Sequence, residues 1–461
     1  MSTAARPDVF ALAERLKAAG QGHLVRALEE APAEKRERFA ARLAEIDWDE
    51  AKHPFVAPAL DRVSPSRVID AGERARRGAD LAKAGEAAYR AGQVAALMVA
   101  GGQGTRLGLS GPKGCFGIAP HSGKSIYQLQ AEKVLALSRR LGRQVPFLIM
   151  TSPMTDAETR EFFAANGWFG LAREQVRFFS QGTIPSFDQE GRALLARPGE
   201  LLENPDGHGG CFTALVASGE LARLRDEKVA WIVYIQVDNI LAPIDDPLLV
   251  GLAARENADV VTKVLPKAHP DEKVGHLVKV VRGDGQARDH IIEYVDLTPE
   301  QVRTIGPDGQ PVYRWGSPAL HAWSVDFLAR LTDRGYKLPL HRSSKPLKAW
   351  IDGAVREVKG WKNERFIFDL VPEAERSVGL EIDRAQEFAP VKNAKDADSP
   401  ASAVQLASDL YATWLRAAGV DVALMPGARI EISPLFAATR EEFLAKWDKR
   451  VTSVRGDYYL E

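Results

Sequence analysis

The sequence predicts an α/β protein built on a mixed, mostly parallel sheet. Three observations carry that expectation. From residue 94 onward, short apolar runs alternate with stretches of helical periodicity, the pattern of strand–helix–strand units. The first run, residues 94–100, is short enough for a buried strand and stops at Gly101-Gly102. A later run, residues 229–237, ends in Asp238-Asn239, and such sheets gather ligands at the carboxyl ends of their strands.

The totals narrow the classes. At 461 residues the chain exceeds one compact core, so two or three domains are expected. With 61 basic and 62 acidic residues the formal net charge is −1, which argues against a nucleic-acid-coating surface or a basic membrane patch. Any anion site must then be a local cluster. Cys115 and Cys211 are the only cysteines, too few for a disulfide framework or a thiolate metal site. There is no apolar signal-peptide core and no run of 18 apolar residues. A cytoplasmic protein is expected.

Residues 7–50 read as helical. Asp8 can cap a segment with Leu12 and Leu16 on one face, and Leu24 and Leu28 continue the stripe. Pro32 restarts a helix carrying Phe39, Leu43 and Ile46. Residues 54–66, with Pro54, Pro58, Ser64, Pro65 and Ser66, read as a linker, and a further helix over about 70–91 leads into the first strand. Strands are expected at 94–100, 146–151, 176–180, 229–237 and 259–264, with helices at 125–141 and 213–225. A helix around 403–417 follows the acidic, Ser/Pro-bearing stretch 395–402.

Four stretches carry chemistry. The loop Ala100, Gly101, Gly102, Gln103, Gly104 offers outward backbone N–H donors, and glycine lets them approach a ligand closely. Arg106 and Lys113 add two positive charges, which suits a nucleoside triphosphate better than a neutral ligand. This loop is not the dinucleotide fingerprint, whose third glycine falls on Leu107. Nor is Ser122-Gly123-Lys124-Ser125 a P-loop, because Ile118 stands where its first glycine belongs. In FFSQGTIPSFD, Gln181 presents donor and acceptor together, as an amide-like base edge such as uracil requires. In NPDGHGGCFTAL, Gly207, Gly209 and Gly210 open a loop before a helix, with His208 among them. Asp238 places a carboxylate at a strand tip, where Mg2+ takes one or two carboxylates plus phosphate oxygens.

GGQGTRLG followed by PKG is similar to the signature of sugar-nucleotide pyrophosphorylases. The GQGTRLG form resembles the eukaryotic-type UDP-sugar pyrophosphorylase family (UDPGP type 1), closest to its UDP-N-acetylglucosamine and UDP-N-acetylhexosamine branch. The resemblance runs from about residue 15, in LKAAGQGHLVRALEE, to about residue 440, past EISPLF. It implies a three-layer nucleotidyltransferase domain, Rossmann-like and GT-A-like, over 66–400. A helical segment, 1–65, precedes it and a small C-terminal domain, 401–461, follows.

The reaction so implied joins UTP to a hexose 1-phosphate, first of all N-acetylglucosamine 1-phosphate, giving UDP-sugar and pyrophosphate with Mg2+ held by Asp238. Carried over residue by residue, Arg106 and Lys113 hold the pyrophosphate. Lys392 in EFAPVKNA reaches the phosphates, while Gln181, Gly207 and the loop from Ala100 to Gly104 hold uridine. Gly275 matches a segment near the sugar, and Glu293-Tyr294 and Lys362 match substrate-contacting positions; Phe366 and Phe368 in RFIFDLV alternate as on one strand face, where they would wall a sugar pocket.

The sequence departs from the family at the sugar. His208 replaces an asparagine, and in RWGSPALHAW Ser317 and Leu320 stand where the family has asparagines. Losing amide hydrogen bonds changes discrimination strongly, so glucose or galactose 1-phosphate is the alternative substrate. A glycosyltransferase would need a DxD, but Asn239-Ile240 follow Asp238. A non-catalytic sensor could lose Lys113, Asp238 or Lys392, and all three are present. The expected partners are therefore small molecules, without nucleic acid or membrane, on a monomer or weak homo-oligomer.

Overall fold

The structure, a computed structural model, describes residues 8–52, 55, 62–281, 283 and 285–461. They fall into two compact units: Met1–Ala57, Gln181–Thr213 and Lys337–Ile367 form one, and Pro58–Ser180, Ala214–Tyr336 and Phe368–Glu461 the other.

The larger unit is built on a 12-stranded sheet. In chain order its strands are Val63–Pro65 (β1), Val68–Ile69 (β2), Val94–Val99 (β3), Phe147–Thr151 (β4), Val176–Ser180 (β5) and Trp231–Gln236 (β6). Val260–Pro266 (β7), Gly275–Val281 (β8), Ala287–Ile292 (β9), Trp315–Ser317 (β10), His321–Ser324 (β11) and Ser377–Glu381 (β12) complete it. The spatial order is β1-β8-β10-β7-β11-β6-β3-β4-β5, with β9 on β8 and β12 joining β7 to β2. β6, β3, β4 and β5 form a continuous parallel block, and β11 enters antiparallel between β6 and β7. Every residue of β3 and β4 is buried, which is why both read as unbroken apolar runs rather than alternating ones.

Helices cover the sheet. Ala71–Ala91 starts on an Asp70 cap, and Ile126–Leu141 on Ser125, whose side chain accepts from Gln128 N. The expected helix over 213–225 is two, Gly210–Ala217 and Glu220–Asp226. It breaks at Gly219, whose φ of 79° only glycine adopts freely. Ala71–Ala91 crosses Pro247–Arg255 with backbones almost touching: a Cβ on Gly85 would lie 1.9 Å from Pro247 O, and one on Gly251 1.7 Å from Leu81 O. The helix Pro400–Ala417 and the parallel pair Ile430–Ile432/Tyr458–Leu460 share the sheet's apolar core through Leu415, Ile432 and Leu460.

One sequence expectation changes here and one exclusion gains its structural reason. Of the linker expected over 54–66, Pro54 and Pro58 lie outside the described residues. Ser64 and Pro65 instead belong to β1, which pairs antiparallel with β8 at the sheet edge, where a proline costs no ladder bond. Ser66 is buried and donates to Asp289 Oδ1 at 2.8 Å. The Ser122-Gly123-Lys124-Ser125 turn proves structural: Glu431 accepts from the N–H groups of His121 (2.8 Å) and Ser122 (3.1 Å), and Lys124 Nζ pairs with Glu132 at 2.9 Å.

The smaller unit begins with Val9–Ala18, His23–Glu29, Ala33–Glu45 and Trp48–Lys52. Asp8 caps the first of them, as expected, accepting from Phe10 N and Ala11 N. Leu12, Leu16, Leu24, Leu28, Phe39 and Leu43 pack with Phe187, Ala193 and Leu201 into one core. A long hairpin, His341–Ile351 with Ala354–Glu364, adds the short strand Phe187–Asp188 at its side.

Candidate active site

The loop after β3 is closed on itself. Lys113 N donates to Gly102 O at 3.1 Å and Gly104 N to Gly111 O at 2.8 Å, while Ser152 Oγ ties down Gly101 O at 2.8 Å. A Cβ on Gly104 would meet the Leu109 side chain at 2.8 Å, so any larger residue forces a shift here. Among the described residues, the N–H groups of Gly101, Gly102 and Gln103 find no backbone acceptor, leaving consecutive donors for a ligand. Arg106 stands exposed on the turn Thr105–Leu107 and makes no ion pair among the described residues.

β3 and β6 are parallel neighbours in register, Val99 opposite Gln236, so their exit loops lie side by side. This brings Lys113 Nζ to 3.5 Å from Asp238 Oδ2, each side chain 19% exposed. The segment 387–392 runs along the same exit: Val391 N donates to Asp238 O at 2.9 Å. Lys392 follows directly, its Nζ 5.8 Å above the Phe388 ring and 3.9 Å from Asp398 Oδ2. Arg106, Lys113, Asp238 and Lys392 therefore belong to adjoining loops at the carboxyl edge of the parallel block.

Further along the same sheet, Gly275 opens β8 and pairs with Ser317 of β10. A Cβ on Gly275 would come within 3.2 Å of Glu293 Oε1, so Gly275 and Glu293 face each other, and Tyr294 is exposed beside them. Next door, His276 is buried and held neutral: Lys267 Nζ donates to its Nε2 at 2.8 Å, and burial lowers its pKa to about 4. Leu320 does not face this cluster as a polar contact would. It is buried in the sheet core, and Ser317 Oγ accepts from Ala319 N at 3.3 Å.

The smaller unit assembles its own cluster. Gln181 is buried, Asp206 N donates to Gly182 O at 3.1 Å, and Arg365 N to Asp206 O at 2.7 Å. Gly207 (φ 85°) and Gly209 pass so close to Arg365 that either Cβ would lie 2.6 Å from its backbone. His208 Nδ1 accepts from Ile367 N at 3.2 Å, placing the ring proton on Nε2, and the ring stacks on Phe366 at 5.3 Å and 11°. Burial lowers its pKa to about 4, so it is neutral at pH 7. Lys362 Nζ pairs with Glu364 Oε1 at 2.6 Å. Phe366 and Phe368 are not neighbours on a strand face, as their alternation predicted. The strand ends at Glu364 and the chain turns into the 3₁₀ helix Ile367–Glu373, with Phe368 buried.

Sequence reasoning passed over Asp206. Its carboxylate is buried against Arg365, Oδ1 has no hydrogen bond, and burial raises its pKa to about 7. Its signal was available: an acid directly before the glycine turn. Among the described residues no group of three or more His, Cys, Asp or Glu forms a ready metal cage. One strand-tip carboxylate, Asp238, fits a cation whose remaining ligands come from phosphates and water.

The profile of the UTP–glucose-1-phosphate uridylyltransferase family matches residues 44–303. The chain is similar to a UDP-N-acetylglucosamine diphosphorylase of Arabidopsis thaliana, 32% identical with 94% of this chain and 91% of the relative covered. It is also similar to the UDP-N-acetylglucosamine pyrophosphorylase of Saccharomyces cerevisiae, 36% identical over 74% of this chain and 73% of the relative. Among solved structures, the uridine diphosphate N-acetylglucosamine pyrophosphorylase of Trypanosoma brucei superposes with a TM-score of 0.80 at 28% identity, covering 100% of this chain and 99% of that one.

Proposed function

The chain belongs to the UTP–glucose-1-phosphate uridylyltransferase family, and on that premise we propose that its sugar substrate is an N-acetylhexosamine 1-phosphate, first of all N-acetylglucosamine 1-phosphate. It is an enzyme, a UDP-sugar pyrophosphorylase that makes UDP-sugar and pyrophosphate from UTP and a sugar 1-phosphate. Support for the sugar comes from relatives named for UDP-N-acetylglucosamine that cover most of this chain.

The chemistry follows from the charges. A phosphate oxygen of the sugar 1-phosphate attacks the α-phosphorus of UTP in line; the bond to the β-phosphate oxygen breaks and pyrophosphate leaves. That oxygen is already anionic near neutral pH, so catalysis consists of positioning and charge neutralisation. In this reading Arg106 and Lys113 hold the departing pyrophosphate, while Lys392 neutralises the sugar phosphate and α-phosphate. Uridine is held by Gln181, Gly207 and the N–H groups of the loop from Ala100 to Gly104. Sugar contacts fall to Gly275, Glu293, Tyr294, Lys362, Phe366 and Phe368, with His208 offering its Nε2–H. Asp238 would hold a divalent cation, Mg2+ by its oxygen ligation, and that cation would supply charge stabilisation at the phosphates. The observation that carries this reading is the approach of Lys113 to Asp238, two residues brought together from separate strand exits.

The catalytic stretch is proposed as 66–400, flanked by 1–65 and 401–461, in a cytoplasmic monomer or weak homo-oligomer. No described helix is long and apolar enough to cross a membrane. The experiment is pyrophosphate release from UTP and magnesium with glucose, galactose, N-acetylglucosamine and N-acetylgalactosamine 1-phosphates. Turnover with the N-acetylhexosamines is expected. Turnover with glucose or galactose alone overturns the sugar assignment and would place its cause at His208 and Ser317.

A further inference from the structure

The exit of β6 carries a buried amide that the chemistry above leaves unused. Asn239 is 1% exposed. Its Nδ2 donates to Glu387 O at 2.7 Å, and its Oδ1 accepts from Ala389 N at 2.9 Å and Leu241 N at 3.3 Å. Its own backbone forms an antiparallel bridge with Pro390, and its carbonyl accepts from Gln130 Nε2 at 3.0 Å. Every polar atom of this side chain therefore spans from the loop that follows Asp238 to the segment that precedes Lys392.

Both sides of that joint are anchored elsewhere. Lys133 Nζ holds the loop from below, donating to Ile240 O at 2.7 Å and Ala242 O at 2.9 Å. The Glu387 carboxylate pairs with the buried Lys263, which also pairs with Asp246. With its two ends fixed in this way, the amide sets the offset between two charged groups of opposite sign, the Asp238 carboxylate and the Lys392 ammonium.

We infer that Asn239 is a positioning residue for uridylyl transfer: its side-chain amide holds the Lys392 segment in register with Asp238, so that the lysine meets the phosphates the carboxylate site receives. The inference rests on the role assigned to Lys392 above. Donor and acceptor are both needed, because the partners are a carbonyl on one side and two N–H groups on the other. A misplacement of about 1 Å can cost about 10²-fold in rate.

A double-mutant cycle on the full-length enzyme tests this, with pyrophosphate release as readout. Asn239→Ala is expected to lower kcat/KM by about 10- to 100-fold and Lys392→Ala by about 10³-fold. The double variant is expected within about threefold of Lys392→Ala alone, because a residue that acts through the lysine has nothing left to place. A merely structural role, or loss of folded enzyme, multiplies the two effects, and that result overturns the inference. If Asn239→Ala does not fold, Asn239→Asp keeps the side-chain size and both acceptor contacts, and the same cycle applies to it. Full activity of Lys392→Ala withdraws the lysine from the chemistry and this inference with it, while the uridylyltransferase reading stands. A wild-type enzyme silent with every sugar 1-phosphate fails that reading instead.

Discussion

Lys113 and Asp238 are separated by 125 positions in the chain and by 3.5 Å in space, and neither is accessible enough to be an idle surface pair. On the function proposed above, the lysine would offset the carboxylate in the free enzyme and would serve a phosphate when a cation is held by Asp238. Lys113→Ala and Asp238→Ala are each expected to lower kcat/KM by about 10³-fold or more with the far-UV spectrum retained. Chelation of divalent cations should abolish turnover in the wild type, and near-normal rates after exhaustive chelation would remove Asp238 from that role. Asp206 makes a separate point about pH. Burial raises its folded pKa to about 7, above that of an unfolded aspartate, so the folded state binds the extra proton between these values. Its contribution to stability is present at acid pH and disappears as pH rises towards 7. Asp206→Asn removes that titration. Denaturant unfolding of the two proteins side by side should show the wild type losing ground to the variant from pH 4 to pH 7, and a constant difference would contradict the assignment.

At the scale of elements, the crossing of Ala71–Ala91 over Pro247–Arg255 admits no side chain at Gly85 or Gly251. Gly85→Ala must push the helices apart, and a loss of about 1–3 kcal/mol or more is expected in chemical denaturation. Glu431 supports a different joint. Glu431→Ala leaves the N–H groups of His121 and Ser122 without their acceptor, at a cost of about 1–3 kcal/mol for each that stays dry, so the Tm should fall while kcat at 25 °C holds.

The same elements show what could be read in advance. The strands at 94–100 and 146–151 were legible because two-sided burial leaves an unbroken apolar run, and the helix at 126 because Ser125 caps it. β1 was hidden by its serine and proline, which an edge strand tolerates. The hairpin over 341–364 was hidden by its mostly polar, solvent-facing surface, although Asp352-Gly353, with φ of 48° and 79°, carries the tight-turn signal. His208 was legible as a position and illegible as a neutral ring, because its pKa is set by burial that no local pattern reveals.

Across the whole molecule, strand order departs widely from chain order. β3 pairs with β6 and β4, and β2 pairs with β12 from the far end of the chain. Long-range pairing of this kind slows folding. Recovery of pyrophosphate release after dilution from denaturant should therefore take seconds or longer, and millisecond recovery would show that the sheet does not limit it. The smaller unit adds its own delay during biosynthesis. Its four helices between Val9 and Lys52 are synthesised before its other parts, and the stretch Lys337–Ile367 that completes the unit follows roughly 300 residues later. At about 5–20 residues per second that interval lasts roughly 15–60 s. For roughly the first half of it the leucines of the first three helices lack the Phe187, Ala193 and Leu201 that later cover them, so this nascent helical segment is a natural client for a chaperone before the unit can close.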